Sequence, residues 1–196
     1  DGTVLDAEDV DVPGHGPQRG FLGCLHDAVG QPDRHMTSFV IADPVARARM
    51  DVACLHGLDW MGEGWWQVAQ RSGLMAIECH SWDHNHEQAE HLMGRRRVTG
   101  TFRSIDGYEL AEEEIARATA HLRRVVPNPG DRLFAYPYGE SNDYLVRDYF
   151  PRNHVLGGNN LRIIGLEALA RRSGIIFIRR SFGSDAVYKS VVREYF

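Results

Sequence analysis

The run Cys79-His80-Ser81-Trp82-Asp83-His84-Asn85-His86 brings three imidazoles, a carboxylate and a thiol together within eight residues. Imidazole is the commonest protein ligand for a transition metal. His80 and His84 are four residues apart, so a single helical turn would set both on one side. Cys79 precedes His80 on an extended run, where alternation turns the two side chains to opposite faces, which argues against a thiolate ligand. A second stretch, Ala135-Tyr136-Pro137-Tyr138-Gly139, carries two aromatic hydroxyls at what reads as the end of another strand.

The elements that must position these residues alternate in kind. Leu74 to Cys79 predicts a buried strand running into the histidine loop, and Leu133 to Tyr136 a strand running into Pro137. Met36 to Ala42 is a β-rich run bounded by Pro32 and Pro44, while residues 6 to 19, with their acids, prolines and glycines, read as a loop. Helices are predicted over Gly20 to Val29, Val45 to about Leu55, Trp65 to Arg71, and a short one near Asp143 to Tyr149. Glu109 to Val126 is the strongest helix, with acids in its first turns and Arg123 and Arg124 in its last, matching the helix dipole. Further on, His154 to Leu156 and Ile175 to Ile178 read as strands, with helices over Leu166 to Arg171 and Ala186 to Tyr195. Such alternation predicts α/β architecture with a largely parallel sheet, whose chemistry gathers at the carboxyl ends of strands. Both motifs fall at such ends.

Bulk properties narrow the class. The 196 residues suit one domain, 1–196, and 43% hydrophobic with 25% charged residues is the balance of a globular protein. A formal charge of −5 leaves no basic footprint for nucleic acid, and Arg95-Arg96-Arg97 reads as a solvated loop. No apolar stretch approaches the roughly 20 residues of a membrane span. Cys24, Cys54 and Cys79 include no CxxC pair and read as buried free thiols. Asp6, Glu8, Asp9 and Asp11 read as a solvated acidic loop. Trp60, Trp65 and Trp66 suit either core packing, the commoner role, or a sugar-binding groove.

The two motifs together resemble the polysaccharide deacetylase family with the NodB homology domain. His80-Ser81-Trp82-Asp83-His84 resembles its His-(Ser/Thr)-x-x-His motif, and Ala135-Tyr136-Pro137-Tyr138 its Arg-x-Pro-(Tyr/Phe) motif, with Ala in place of Arg. Asp1-Gly2 resembles the end of the family's Asp-Asp-Gly segment, and Thr37-Ser38-Phe39-Val40 a strand one βα unit later. The resemblance runs from residue 1 to about 145. It implies a distorted (β/α) barrel of NodB type, with the first strand expected ahead of residue 1. Asp1, His80 and His84 are then expected to ligate a divalent metal, Zn²⁺ above all, a two-histidine, one-carboxylate set with open positions. Asp83 is expected either to orient an imidazole or to be solvated, and His86 to lie beyond the ligands.

What the resemblance implies chemically is removal of N-acetyl groups from an N-acetylated sugar or polysaccharide. The metal polarises the acetamide carbonyl and activates water, an aspartate just ahead of Asp1 takes its proton, and the backbone N–H of Tyr138 helps hold the oxyanion. Tyr136, Pro137 and Tyr138 are the expected substrate contacts. Ile178-Arg179-Arg180 resembles a Leu-Pro-Arg segment of some members, so Arg180 is expected to supply the guanidinium that Ala135 lacks. The family's Leu-x-His motif has no counterpart, as His154 stands in a different context. The alternative is therefore a domain of this fold that binds carbohydrate or a protein partner without turnover. Members are often extracellular or attached to the cell envelope; the stretch itself shows no signal-peptide pattern.

Overall fold

The computed structural model describes residues 2–84, 102–127, 132–152 and 161–162, which fall within one compact unit spanning residues 1–165. Two expected strands and two expected helices between His154 and Tyr195 lie outside the described residues, as does Arg95-Arg96-Arg97.

Among the described residues the architecture is mixed α/β. A short hairpin comes first, with β1 (Val10–Val12) antiparallel to β2 (Gly16–Gln18), in a stretch whose composition reads as loop. Its register is set by the turn, where Gly14 and Gly16 take φ of +78° and +70°, the left-handed region that glycine enters without a Cβ penalty. Helix α1 (Phe21–Asp27) follows.

Strand β3 (Met36–Val40) pairs in parallel with β4 (Met75–Cys79), Met36 opposite Met75 and Val40 opposite Cys79. Two helices, α2 (Pro44–Cys54) and α3 (Trp66–Arg71), occupy the crossover that a parallel pair requires. The start of α2 is written in its residues: Asp43 caps it, its Oδ1 accepting from the Val45 N–H at 3.0 Å, and Pro44 takes the first helical position, where its missing N–H costs nothing.

On its other side β4 meets the next motif strand. Cys79 bridges Phe134 in parallel, and the Ala135 N–H donates to the Cys79 carbonyl at 2.9 Å. Strand β5 (Arg132–Leu133) leads into that bridge and pairs in parallel with β6 (Leu161–Arg162). Strand β4 is therefore covered on both edges and both faces, and Ile77, Glu78 and Cys79 are all buried. The β3–β4 and β5–β6 pairs are parallel, within the α/β class expected, while β1–β2 is antiparallel; no closed barrel forms among the described strands.

Between β4 and β5 a long helical run covers the sheet. It begins as α4 (Tyr108–Ala111), widens into a π-helical stretch (Glu112–Ala116) and continues as α5 (Arg117–Val125). Ile115, Ala118, Leu122 and Val126, three and four apart, are buried as their spacing predicts. A last helical segment is π-helical over Tyr144–Tyr149 and ends in α6 (Phe150–Arg152).

Two expectations are corrected by burial and one choice is decided. Asp6 is 1% exposed, and its Oδ2 accepts from the Gly2 N–H at 2.9 Å and from the Ser38 hydroxyl at 2.5 Å; Asp9 likewise accepts from the Gly20 N–H at 2.9 Å. Asp6 can leave water because donors replace its hydration, whereas Glu8, Asp9 and Asp11 are exposed, as expected. Cys24 and Cys54 are exposed, and Cys79 alone of the three thiols is buried. Trp65 and Trp66 are core residues, 3% and 0% exposed, the commoner of the two roles expected.

Candidate functional site

The histidine loop leaves the end of β4 and is tied at once to both neighbouring strands. The His80 N–H donates to the Val40 carbonyl at 3.0 Å, and the Ala42 and Asp43 N–H groups donate to the Ser81 and Trp82 carbonyls at 3.1 and 2.7 Å. Ser81 and His84 both adopt positive φ, 73° and 61°, which lets the chain reverse within four residues. The reversal is braced by Ser81, 0% exposed, whose Oγ accepts from the His84 N–H at 2.9 Å. The two imidazoles are brought together with ring centroids 4.8 Å apart and planes inclined at 62°. A tight turn achieves this, where the spacing alone suggested one turn of helix.

The Nδ1 of His80 lies 2.9 Å from the Ala135 carbonyl oxygen. A carbonyl only accepts, so Nδ1 carries the proton and Nε2 is the lone-pair nitrogen. This is the arrangement that prepares an imidazole for a metal: the outer hydrogen bond fixes tautomer and ring orientation. The paired histidines therefore fit a divalent ion by their donor chemistry. Among the described residues, no group of three His, Cys, Asp or Glu side chains converges as a ligand set. The expected third ligand, Asp1, lies outside them, as do Arg180 and His86.

The flanking acid and the flanking thiol resolve differently. Asp83 is 2% exposed, so the solvated reading does not hold. Cys79 belongs to the hydrophobic core, as the alternation along β4 predicts.

The second motif forms a 3-10 turn over Pro137–Gly139. Its own hydrogen bonds use the N–H groups of Gly139, to the Tyr136 carbonyl at 2.9 Å, and of Glu140, to the Pro137 carbonyl at 3.0 Å. The first N–H groups of such a turn, Tyr138's among them, have no partner within it. Pro137 is buried. Tyr136 packs its ring edge-on to Phe102, Phe134 and Phe150 at centroid distances of 6.1, 5.4 and 5.9 Å, and burial pushes its hydroxyl pKa up, so the phenol stays neutral.

Sequence reasoning missed the partners that the loop finds on the helical run. The Trp82 N–H donates to the Glu114 carbonyl at 2.9 Å. The Arg117 guanidinium lies over the Trp82 ring at 3.7 Å, and the His121 ring stands edge-on to it at 6.0 Å. His121 is held in turn by Arg124, which donates to its Nδ1 at 3.0 Å, leaving Nε2–H to donate to Glu63 at 3.2 Å. Glu63 also takes a 2.6 Å bond from Arg47, a guanidinium only 3% exposed. No spacing in the sequence joins positions 47, 63, 82 and 121.

Residues 25–149 match the family model for polysaccharide deacetylase. A protein named glycerol-3-phosphate acyltransferase, from Pseudoalteromonas translucida (strain TAC 125), is 35% identical over 75 residues, a stretch covering 35% of this chain and 9% of that protein. The chain thus spans less than a tenth of that relative's length. No solved structure matches the chain significantly. No helix among the described residues is long and apolar enough to cross a membrane.

Proposed function

Because the chain belongs to the polysaccharide deacetylase family, we propose that it is a metal-dependent hydrolase removing N-acetyl groups from an N-acetylated sugar or polysaccharide. The observation that carries this reading is the imidazole pair, 4.8 Å between centroids, with one tautomer fixed by the Ala135 carbonyl. His80 and His84 would hold the divalent ion, Zn²⁺ by preference, with Asp1 as the carboxylate ligand. In favour of Asp1, its neighbour Gly2 lies against the Phe39–Val40 backbone, next to the carbonyl that accepts the His80 N–H. When bound, the ion polarises an acetamide carbonyl and acidifies a water.

The remaining roles fall to the second motif and to residues beyond it. The Tyr138 N–H, outside the hydrogen bonds of its own turn, is the donor we assign to the developing oxyanion. Tyr136, Pro137 and Tyr138 are the residues we assign to contact the sugar. Arg180 is assigned the guanidinium that the family carries where this chain has Ala135, orienting the carboxylate base.

The test is acetate release from chitooligosaccharides and acetylated glucosamine polymers by the full-length protein with Zn²⁺. Release that disappears together with bound metal in the His80→Ala, His84→Ala double variant supports the reading. No release across a broad panel of substrates and metals overturns it, in favour of carbohydrate or protein binding without turnover, a reading favoured by Ala135. Unchanged turnover in Arg180→Ala would remove that residue from its role.

A further inference from the structure

We propose that Trp82 is a positioning residue for the histidine pair, clamped onto the helical run by Arg117 and by the Glu114 carbonyl. The inference rests on the metal reading of His80 and His84 given above.

Trp82 stands midway between the two histidines, and both of its peptide groups are tied. Its N–H donates to Glu114 at 2.9 Å, and its carbonyl accepts from Asp43 at 2.7 Å. The helical run and the cap residue of α2 thus both hold the loop. The ring is 8% exposed, with the Arg117 guanidinium 3.7 Å from its centroid. Such a contact is worth about 0.5 to 2 kcal/mol according to its desolvation.

The clamp has something to hold. Ser81 and His84 flank Trp82 with φ of 73° and 61°, and non-glycine residues in that region cost on the order of 1 kcal/mol each. Left alone, the segment would relax toward ordinary φ and swing the two rings apart.

The helical run is shaped for the task. Glu114 and Arg117 are three apart and His121 four further on, so all three share one face. Glu114 falls within the π-helical stretch, where the Arg117 N–H bonds the Glu112 carbonyl five residues back instead of four. Widened turns of this kind tilt carbonyls outward and recur at functional sites. Here one such carbonyl meets Trp82. Arg117 is steadied by Glu113, 4.0 Å away.

The experiment is Co²⁺ titration of the full-length protein, read by visible absorption, together with amide hydrogen exchange of the metal-free form. Arg117→Ala is expected to raise the Co²⁺ Kd about 10-fold, within the range for residues that orient ligands, and Arg117→Lys, which keeps a cation over the ring, to recover most of it. In the metal-free protein the Trp82 and His84 amides should exchange about tenfold faster in Arg117→Ala, with core amides of β4 unchanged. Wild-type Kd and exchange in Arg117→Ala overturn the inference, as does faster exchange spread evenly over the core. If the wild type itself binds no Co²⁺, the metal reading fails, and the exchange measurement still decides whether the clamp exists.

Discussion

The His80 imidazole and the Ala135 carbonyl meet at 2.9 Å across the ends of two adjacent parallel strands. Fifty-five residues separate them in the chain, yet the Cys79–Phe134 bridge immediately before makes their meeting a matter of register. One hydrogen bond therefore couples both motifs of the site.

His80→Asn separates the two duties of that residue. The Asn amide can still donate to Ala135 but offers no second ring nitrogen, so bound metal should be lost while the fold is kept. His80→Ala removes the hydrogen bond as well and should cost about 1 kcal/mol more in urea unfolding. Metal content and unfolding midpoints of the two variants check this.

Ser81→Ala removes the acceptor of the His84 N–H in a buried loop. Stability should fall by about 1 kcal/mol, and the His84 ring, released from its brace, should bind metal more weakly. Titration of the variant with Zn²⁺ in competition with a chromophoric chelator reads the second effect.

Asp6→Ala should cost about 2 kcal/mol, since it strands both the Gly2 N–H and the buried Ser38 hydroxyl. Adding Ser38→Ala should recover part of the loss, because the orphaned hydroxyl goes with it. Chemical denaturation of the single and double variants gives the coupling; strict additivity would argue against the contact.

Acid should weaken the protein through Glu63. Burial pushes its pKa up, but hydrogen bonds from Arg47 and His121 outweigh that, and the net direction is down from 4.5. The unfolded chain then takes up the proton before the folded one. The stabilisation is complete above the ordinary carboxyl range and is lost as pH falls through the lowered folded value. Glu63→Gln should flatten the fall in urea midpoint below about pH 4.5.

Much of the site was legible because its chemistry is concentrated. Two histidines, a serine and a strand end within a few residues announce themselves, and Pro137 marks the second turn. Among the described residues, most strand and helix bounds from β3 onward followed from apolar periodicity, and the parallel β3–β4 pair from the alternation, while the β1–β2 hairpin did not. What escaped was carried by atoms that sequence does not vary. The Glu114 carbonyl is a backbone group, and nothing in Glu112 to Ala116 distinguishes a π-helical stretch from α-helix. Asp6 reads as solvated because an acid among prolines and glycines usually is; donors on Gly2 and Ser38, one of them distant in sequence, help make its burial tolerable. The Arg47–Glu63–His121 chain is spread over three elements and has no spacing to read. The exposed thiols of Cys24 and Cys54 show the same limit, since cysteine type alone does not choose a helix face.

The anchor of the His80 ring is addressed to main chain, and so it is blind to the side chain at position 135. Arginine or alanine there would leave the protonated nitrogen of His80 in the same place. If His80 and His84 hold an ion as proposed, its retention and turnover are separable at this position. A saturation library at Ala135, sorted first for metal retention and then for hydrolysis, would show two separate fitness landscapes laid over one residue.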